Sequence, residues 1–144
     1  MTLETTSIQL IREELKRDKD YFSKDQNGKP FVHAATSSNR IDILELLIES
    51  NCPIQFYDKN GNTPLHIAII EGNKEMVELF TNSGFCVDYP TRDGITPITI
   101  ASIHQRVDII EHLVNVNADL SKMSIVSAKE VSLFASLMFD QTFL

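Results

Sequence analysis

Residues 61–68 read Gly61-Asn62-Thr63-Pro64-Leu65-His66-Ile67-Ala68, and residues 94–101 read Gly94-Ile95-Thr96-Pro97-Ile98-Thr99-Ile100-Ala101. The two strings lie 33 residues apart, and the period extends beyond them. Gly28, Gly61 and Gly94 keep it, as do Ala35, Ala68 and Ala101, the acids Asp42, Glu75 and Asp108, and the turn formers Asn51, Gly84 and Asn117. Self-similarity at a fixed spacing of this length marks a stack of supersecondary units, each sharing its core with its neighbours.

Each unit reads as two helices. In the most regular one, Asp58-Lys59-Asn60-Gly61 supplies turn formers, with Gly61 free to take positive φ. Thr63 offers a hydroxyl as a helix cap, and Pro64 takes the first helical position, where its missing N–H costs little. Leu65, Ala68 and Ile69 recur at helical spacing, and the alanine keeps that helix slim. Gly72-Asn73 breaks it, and Glu75 suits the first turn of the next helix dipole. Met76, Val77, Leu79 and Phe80 form the second apolar stripe, which Gly84 closes in the manner of a left-handed cap. The following unit repeats the plan through Thr96-Pro97, then Ile109, Ile110, Leu113, Val114 and Asn117. The preceding unit has Pro30-Phe31-Val32-His33 without the threonine, so its first helix is expected to start less firmly. Its second helix, Ile41 to Ser50, is periodic through Ile43, Leu44, Leu47 and Ile48.

The period and the Thr-Pro-Leu-His-x-Ala string resemble the ankyrin repeat, from Asp25 to about Ser121. The resemblance implies an all-α solenoid of stacked helix-turn-helix units with short hairpin tips. It divides the chain into a capping helix within 1–24, repeats at 25–57, 58–90 and 91–123, and a capping helix or partial fourth repeat at 124–144. Ser7 to about Asp20 carries Ile8, Ile11 and Leu15 on one face and resembles the second half of a truncated leading repeat, its apolar residues slipped by about one position. Ser127-Ala128-Lys129-Glu130 is a capping-box pattern ahead of Val131, Phe134, Ala135 and Met138. That segment is apolar for a surface cap, with Leu133, Leu137, Phe139, Phe143 and Leu144 as well. Either it folds back on the third repeat or the chain is cut from a longer array.

Composition narrows the function classes. A net charge of −7 argues against nucleic acid, because neutralising phosphates takes a basic stripe. The dense basic cluster Arg12, Lys16, Arg17 and Lys19 is interleaved with Glu13, Glu14, Asp18 and Asp20, so its field largely cancels. No apolar run approaches the ~18 residues that span a bilayer, and the first residues lack the basic start and apolar core of a secretory signal. Cys52 and Cys86 are too few for a disulfide scaffold and fall at nearly equivalent repeat positions. Both read as small half-buried side chains whose free thiols fit an intracellular compartment, cytoplasmic or nuclear. A host-directed effector would show the same features.

No catalytic motif is found: the chain has no G-x-S-x-G, no glycine-rich phosphate loop and no H-E-x-x-H. The resemblance assigns His33 and His66 one shared position, which the family uses to tie neighbouring loops by hydrogen bonds; Thr99 stands there in the third repeat. Helices stacked ~10 Å apart would hold the two imidazoles too far apart for one metal bonded at ~2 Å. His104 and His112 lack a ligand partner at metal spacing. The expectation is a non-enzyme with no catalytic, cofactor or metal site.

In the family, partners bind at the hairpin tips and on the outward positions of the first helices. Carried over by position, the tips are Gln26, Asn27 and Lys29, then Lys59, Asn60 and Asn62, then Arg92, Asp93 and Ile95. The helix positions are Ser37 and Ser38, Ile70 and Glu71, and Ile103 and His104; Phe56, Tyr57, Tyr89 and Pro90 precede the turns. Ile70, Ile95 and Ile103 with Tyr57 and Tyr89 would make an apolar strip, flanked by Lys59, Asn62, Glu71, Arg92 and His104. Alternatively the tyrosines pack down on the turns and the isoleucines are scattered surface residues. The implied function is a monomeric adaptor or scaffold that docks an amphipathic helix or extended segment of another protein, without nucleic acid or membrane. The alternative is a targeting segment of a larger enzyme, effector or membrane protein.

Overall fold

Helix starts keep the sequence period. The computed structural model describes residues 8–17, 31–52 and 54–122. Its helices are α1 (Ile8–Arg17), α2 (Phe31–Ser37), α3 (Ile41–Glu49), α4 (Pro64–Glu71), α5 (Lys74–Asn82), α6 (Pro97–Ile103) and α7 (Val107–Asn115), then a short 3-10 turn at Leu120–Lys122. The inner helices α2, α4 and α6 begin 33 residues apart, and so do the outer helices α3, α5 and α7. Helix α1 begins 33 residues before α3 and packs on it, as the outer half of a leading unit would. No strand is present among the described residues. The expected C-terminal helix and capping box at 127–130 lie outside them, as do Pro30 and residues 18–20.

Backbone conformation repeats with the same period. Asn39, Gly72 and Gln105 end the inner helices at φ of 55°, 75° and 55°. Asn51, Gly84 and Asn117 follow the outer helices at 54°, 90° and 66°. These left-handed positions reverse the chain after each of the helices α2 to α7, and asparagine and glycine take them with the least strain. After its inner helix the middle unit is held by Asn73, whose side chain accepts from the Met76 N–H at 3.2 Å.

The core runs between the two rows. Ala35, Ala68 and Ala101 are completely buried where α2, α4 and α6 stack, and their small side chains allow the close approach. Ile43, Leu44, Met76, Val77, Phe80, Ile109, Ile110 and Leu113 fill the inward stripes of the outer helices, and Ile11 and Leu15 join from α1. Polar links tie successive units: Asn73 Nδ2 donates to Asn39 Oδ1 at 2.8 Å, and Arg106 Nη2 donates to the Ile70 carbonyl at 2.7 Å. On the outer row Thr81 Oγ1 and His112 Nε2 lie 2.8 Å apart.

Two expectations are corrected here. Cys52 is buried but Cys86 is exposed, not half-buried. The core position in register with Cys52 belongs to Phe85, and Ala118 fills it in the next unit, so the one-residue slip of Cys86 turns its side chain outward. Thr63 forms a capping box with His66, the third residue of α4, as expected, whereas the Thr96 hydroxyl makes no cap bond to α6 and faces the side chain at the third helical position instead. Thr63 Oγ1 is 2.9 Å from His66 Nδ1, and Thr96 Oγ1 is 3.0 Å from Thr99 Oγ1.

A groove between the hairpin tips and the inner helices

Each of the two described tips is closed by the residue at its base; the first expected tip, with Gln26, Asn27 and Lys29, lies outside the described residues. Asp58 Oδ1 accepts from the Asn60 and Asn62 N–H groups at 2.9 Å each, and the Asp58 N–H donates to the Asn62 carbonyl at 2.9 Å. One period later Thr91 does the same work: its hydroxyl accepts from the Ile95 N–H at 3.1 Å, and its N–H donates to the Ile95 carbonyl at 2.8 Å. The tips are joined where the Arg92 N–H donates to the Gly61 carbonyl at 2.9 Å.

Imidazoles hold the tips to the helices. His33 Nε2 donates to the Asn62 carbonyl at 2.8 Å, reaching from the first unit to the second tip. His66 Nε2 donates to the Tyr89 carbonyl at 2.7 Å, and its Nδ1 accepts from the Thr63 N–H at 2.9 Å. That pair of bonds requires the neutral ring, and burial pushes the His66 pKa below its ordinary 6.5. The unfolded chain therefore binds this proton more readily than the folded one. The stability from His66 is complete above about pH 6.5 and is lost as pH falls below it. Urea midpoints of the wild type and of His66→Thr, which copies the third repeat, should thus converge on acidification. A constant difference between them would show that His66 does not titrate across unfolding.

Between these tips and helices lies an open hollow of about 180 Å³, lined by Asn60, Asn62, Ile70, Thr91, Asp93, Ile95, Ile100, Ile103 and His104. Ile95 is 38% exposed and Ile103 46% exposed, so both present apolar surface to solvent. Ile70 was expected to be an exposed anchor. It is half-buried, because its side chain packs partly against the core and lines the hollow together with the buried Ile100 of the next inner helix. Asn62, Ile70, Ile95, Ile103 and His104 of the expected site meet in this hollow; Tyr57, Lys59, Glu71, Tyr89 and Arg92 do not line it.

Instead, the tyrosines pack along the turns. Their rings stack at 5.8 Å between centroids, and Tyr57 Oη donates to the Pro90 carbonyl at 2.8 Å. Arg92 covers the Tyr57 ring at 5.5 Å and donates to the Asp58 carbonyl at 3.4 Å. The apolar surface is therefore a hollow beside a tyrosine edge, rather than one continuous strip. Thr91 and Ile100 were not among the expected site residues. Thr91 stands one period after Asp58, which is the sequence signal that could have found it.

Among the described residues no three His, Cys, Asp or Glu side chains are grouped to hold a metal, and no helix is long and apolar enough to cross a membrane. No curated protein matches the chain. A family profile described as ankyrin repeats (3 copies) matches residues 5–90 and again 32–124, so it spans the leading helix as well as the three units with tips. With that match lying on helices and left-handed turns that recur every 33 residues, the chain belongs to the ankyrin-repeat family, whose repeats are generally protein–protein interaction modules and typically non-enzymatic.

Proposed function

We propose that this ankyrin stack is a non-catalytic adaptor or scaffold that docks a segment of one partner protein in the groove between its tips and inner helices. The observation supporting this reading is the pair Ile95 and Ile103, large apolar side chains left open to water in a hollow with a polar rim of Asn60, Asn62, Asp93 and His104. Apolar surface in a preformed concavity with polar edges is what a partner's anchor residue fits. A groove fixed by tip-to-helix hydrogen bonds loses little freedom on binding, so most of the contact energy appears as affinity.

Linear peptides selected on the wild-type protein from a displayed random library provide the test. Ile95→Ser combined with Ile103→Ser should leave stability within ~0.5 kcal/mol per site, as surface substitutions do. The same pair should weaken peptide binding by more than ~2 kcal/mol, as loss of central apolar anchors does. Unchanged peptide binding would move the site off this groove, and unfolding of the double variant would make these isoleucines core residues.

A further inference from the structure

The ionic character of the groove differs from what its sequence suggests. Lys59 and Arg92 are the cations of the two tips, yet neither lines the hollow. Arg92 is engaged over the Tyr57 ring and on the Asp58 carbonyl, and its Cβ sits where a side chain on Gly61 would have to go. Next in the chain and on the same tip, Asp93 lines the hollow, is exposed, and has no hydrogen-bond or ion-pair partner among the described residues. The chain as a whole carries −7, a field that draws cations toward it.

Size bears on the occupant as well. The hollow of about 180 Å³ has room for a leucine- or phenylalanine-sized side chain. Ile70, Ile95, Ile100 and Ile103 furnish its apolar lining, while Asp93 and His104 stand at the polar side.

We infer that the occupant is a basic segment of a partner protein, which seats one leucine- or phenylalanine-sized side chain among these isoleucines and sets a lysine or arginine against Asp93. This rests on the groove reading proposed above. Charge complementarity supplies the register and the approach rate, and the single anchor supplies the apolar contact.

The peptides selected on the wild-type protein test it directly. Their shared feature should be one large apolar residue with lysine or arginine within a few positions. Asp93→Asn should weaken those peptides about three- to five-fold, the upper range for one exposed ion pair. Glu111→Gln removes the same charge from α7, away from the hollow, and should weaken them less than Asp93→Asn does. Lys59→Glu should strengthen binding. Selected peptides that are acidic or uncharged, equal effects of Asp93→Asn and Glu111→Gln, or weaker binding to Lys59→Glu would each overturn the inference. If the paired serine substitutions at Ile95 and Ile103 abolish capture while Asp93→Asn leaves it unchanged, the groove stands and only the basic segment is wrong. If the paired serines leave capture unchanged, the groove reading itself has failed.

Discussion

Phe80→Ala should lower stability by ~3–5 kcal/mol, the range for deleting a buried phenyl ring. Phe80 is completely buried on α5, the outer helix of the middle unit, and its ring meets Phe85 at 5.1 Å between centroids. The position is costly for a second reason. A stack of repeats is held by nearest-neighbour interfaces, so weakening the middle unit uncouples those on both sides. Ile110→Ala, also in the core but on α7, should cost ~2–4 kcal/mol. Urea unfolding monitored by circular dichroism gives both numbers. A loss below ~1 kcal/mol for Phe80→Ala would mean that the site collapses around the deletion. An unchanged m-value would show that the stack still unfolds as one unit.

Gly61→Ala is the second large effect expected, ~2–4 kcal/mol, against ~1 kcal/mol for Gly94→Ala. Both glycines hold positive φ, 79° and 86°, so both substitutions carry the same backbone strain. The surroundings differ. A Cβ on Gly61 would lie 2.8 Å from the Arg92 Cβ, and nothing lies within 4 Å of one on Gly94. The neighbour at Gly61 is a Cβ fixed to backbone that itself donates to the Gly61 carbonyl, so it cannot swing aside. The difference between the two alanine variants isolates the approach of one tip to the next. Equal losses would mean that the tips shift apart without consequence.

How far the sequence could be read follows from what each feature depends on. Helix starts, the buried alanines, the left-handed turns at Asn51, Gly84 and Asn117, and the core roles of Val77 and Ile110 are set by local geometry and periodic burial, and they were legible. The hollow was legible in part. Ile95, Ile103 and His104 follow from repeat position, yet where a long side chain turns is decided by the neighbouring unit. Arg92 reads as a groove cation until the Tyr57 ring is placed beneath it, and Ile70 reads as exposed until the core covers part of its side chain. Cys86 shows the limit of the period itself, since a one-residue slip hands the core position to Phe85.

The ties between units span one period: Asn39 with Asn73, Tyr57 with Tyr89 and Pro90, Gly61 with Arg92, and Ile70 with Arg106. None skips a unit, so the molecule is divisible. A duplicate of residues 58–90 spliced in after Pro90 would bring its own tip aspartate, bridging histidine and tyrosine; it would meet the 91–123 unit as its original does now, and would meet its original at a new junction where Lys59 and Asn73 stand in place of Arg92 and Arg106. Such a chain would grow by whole rungs, adding one more tip and inner helix to the groove and one more place for an anchor, with no new fold to be invented.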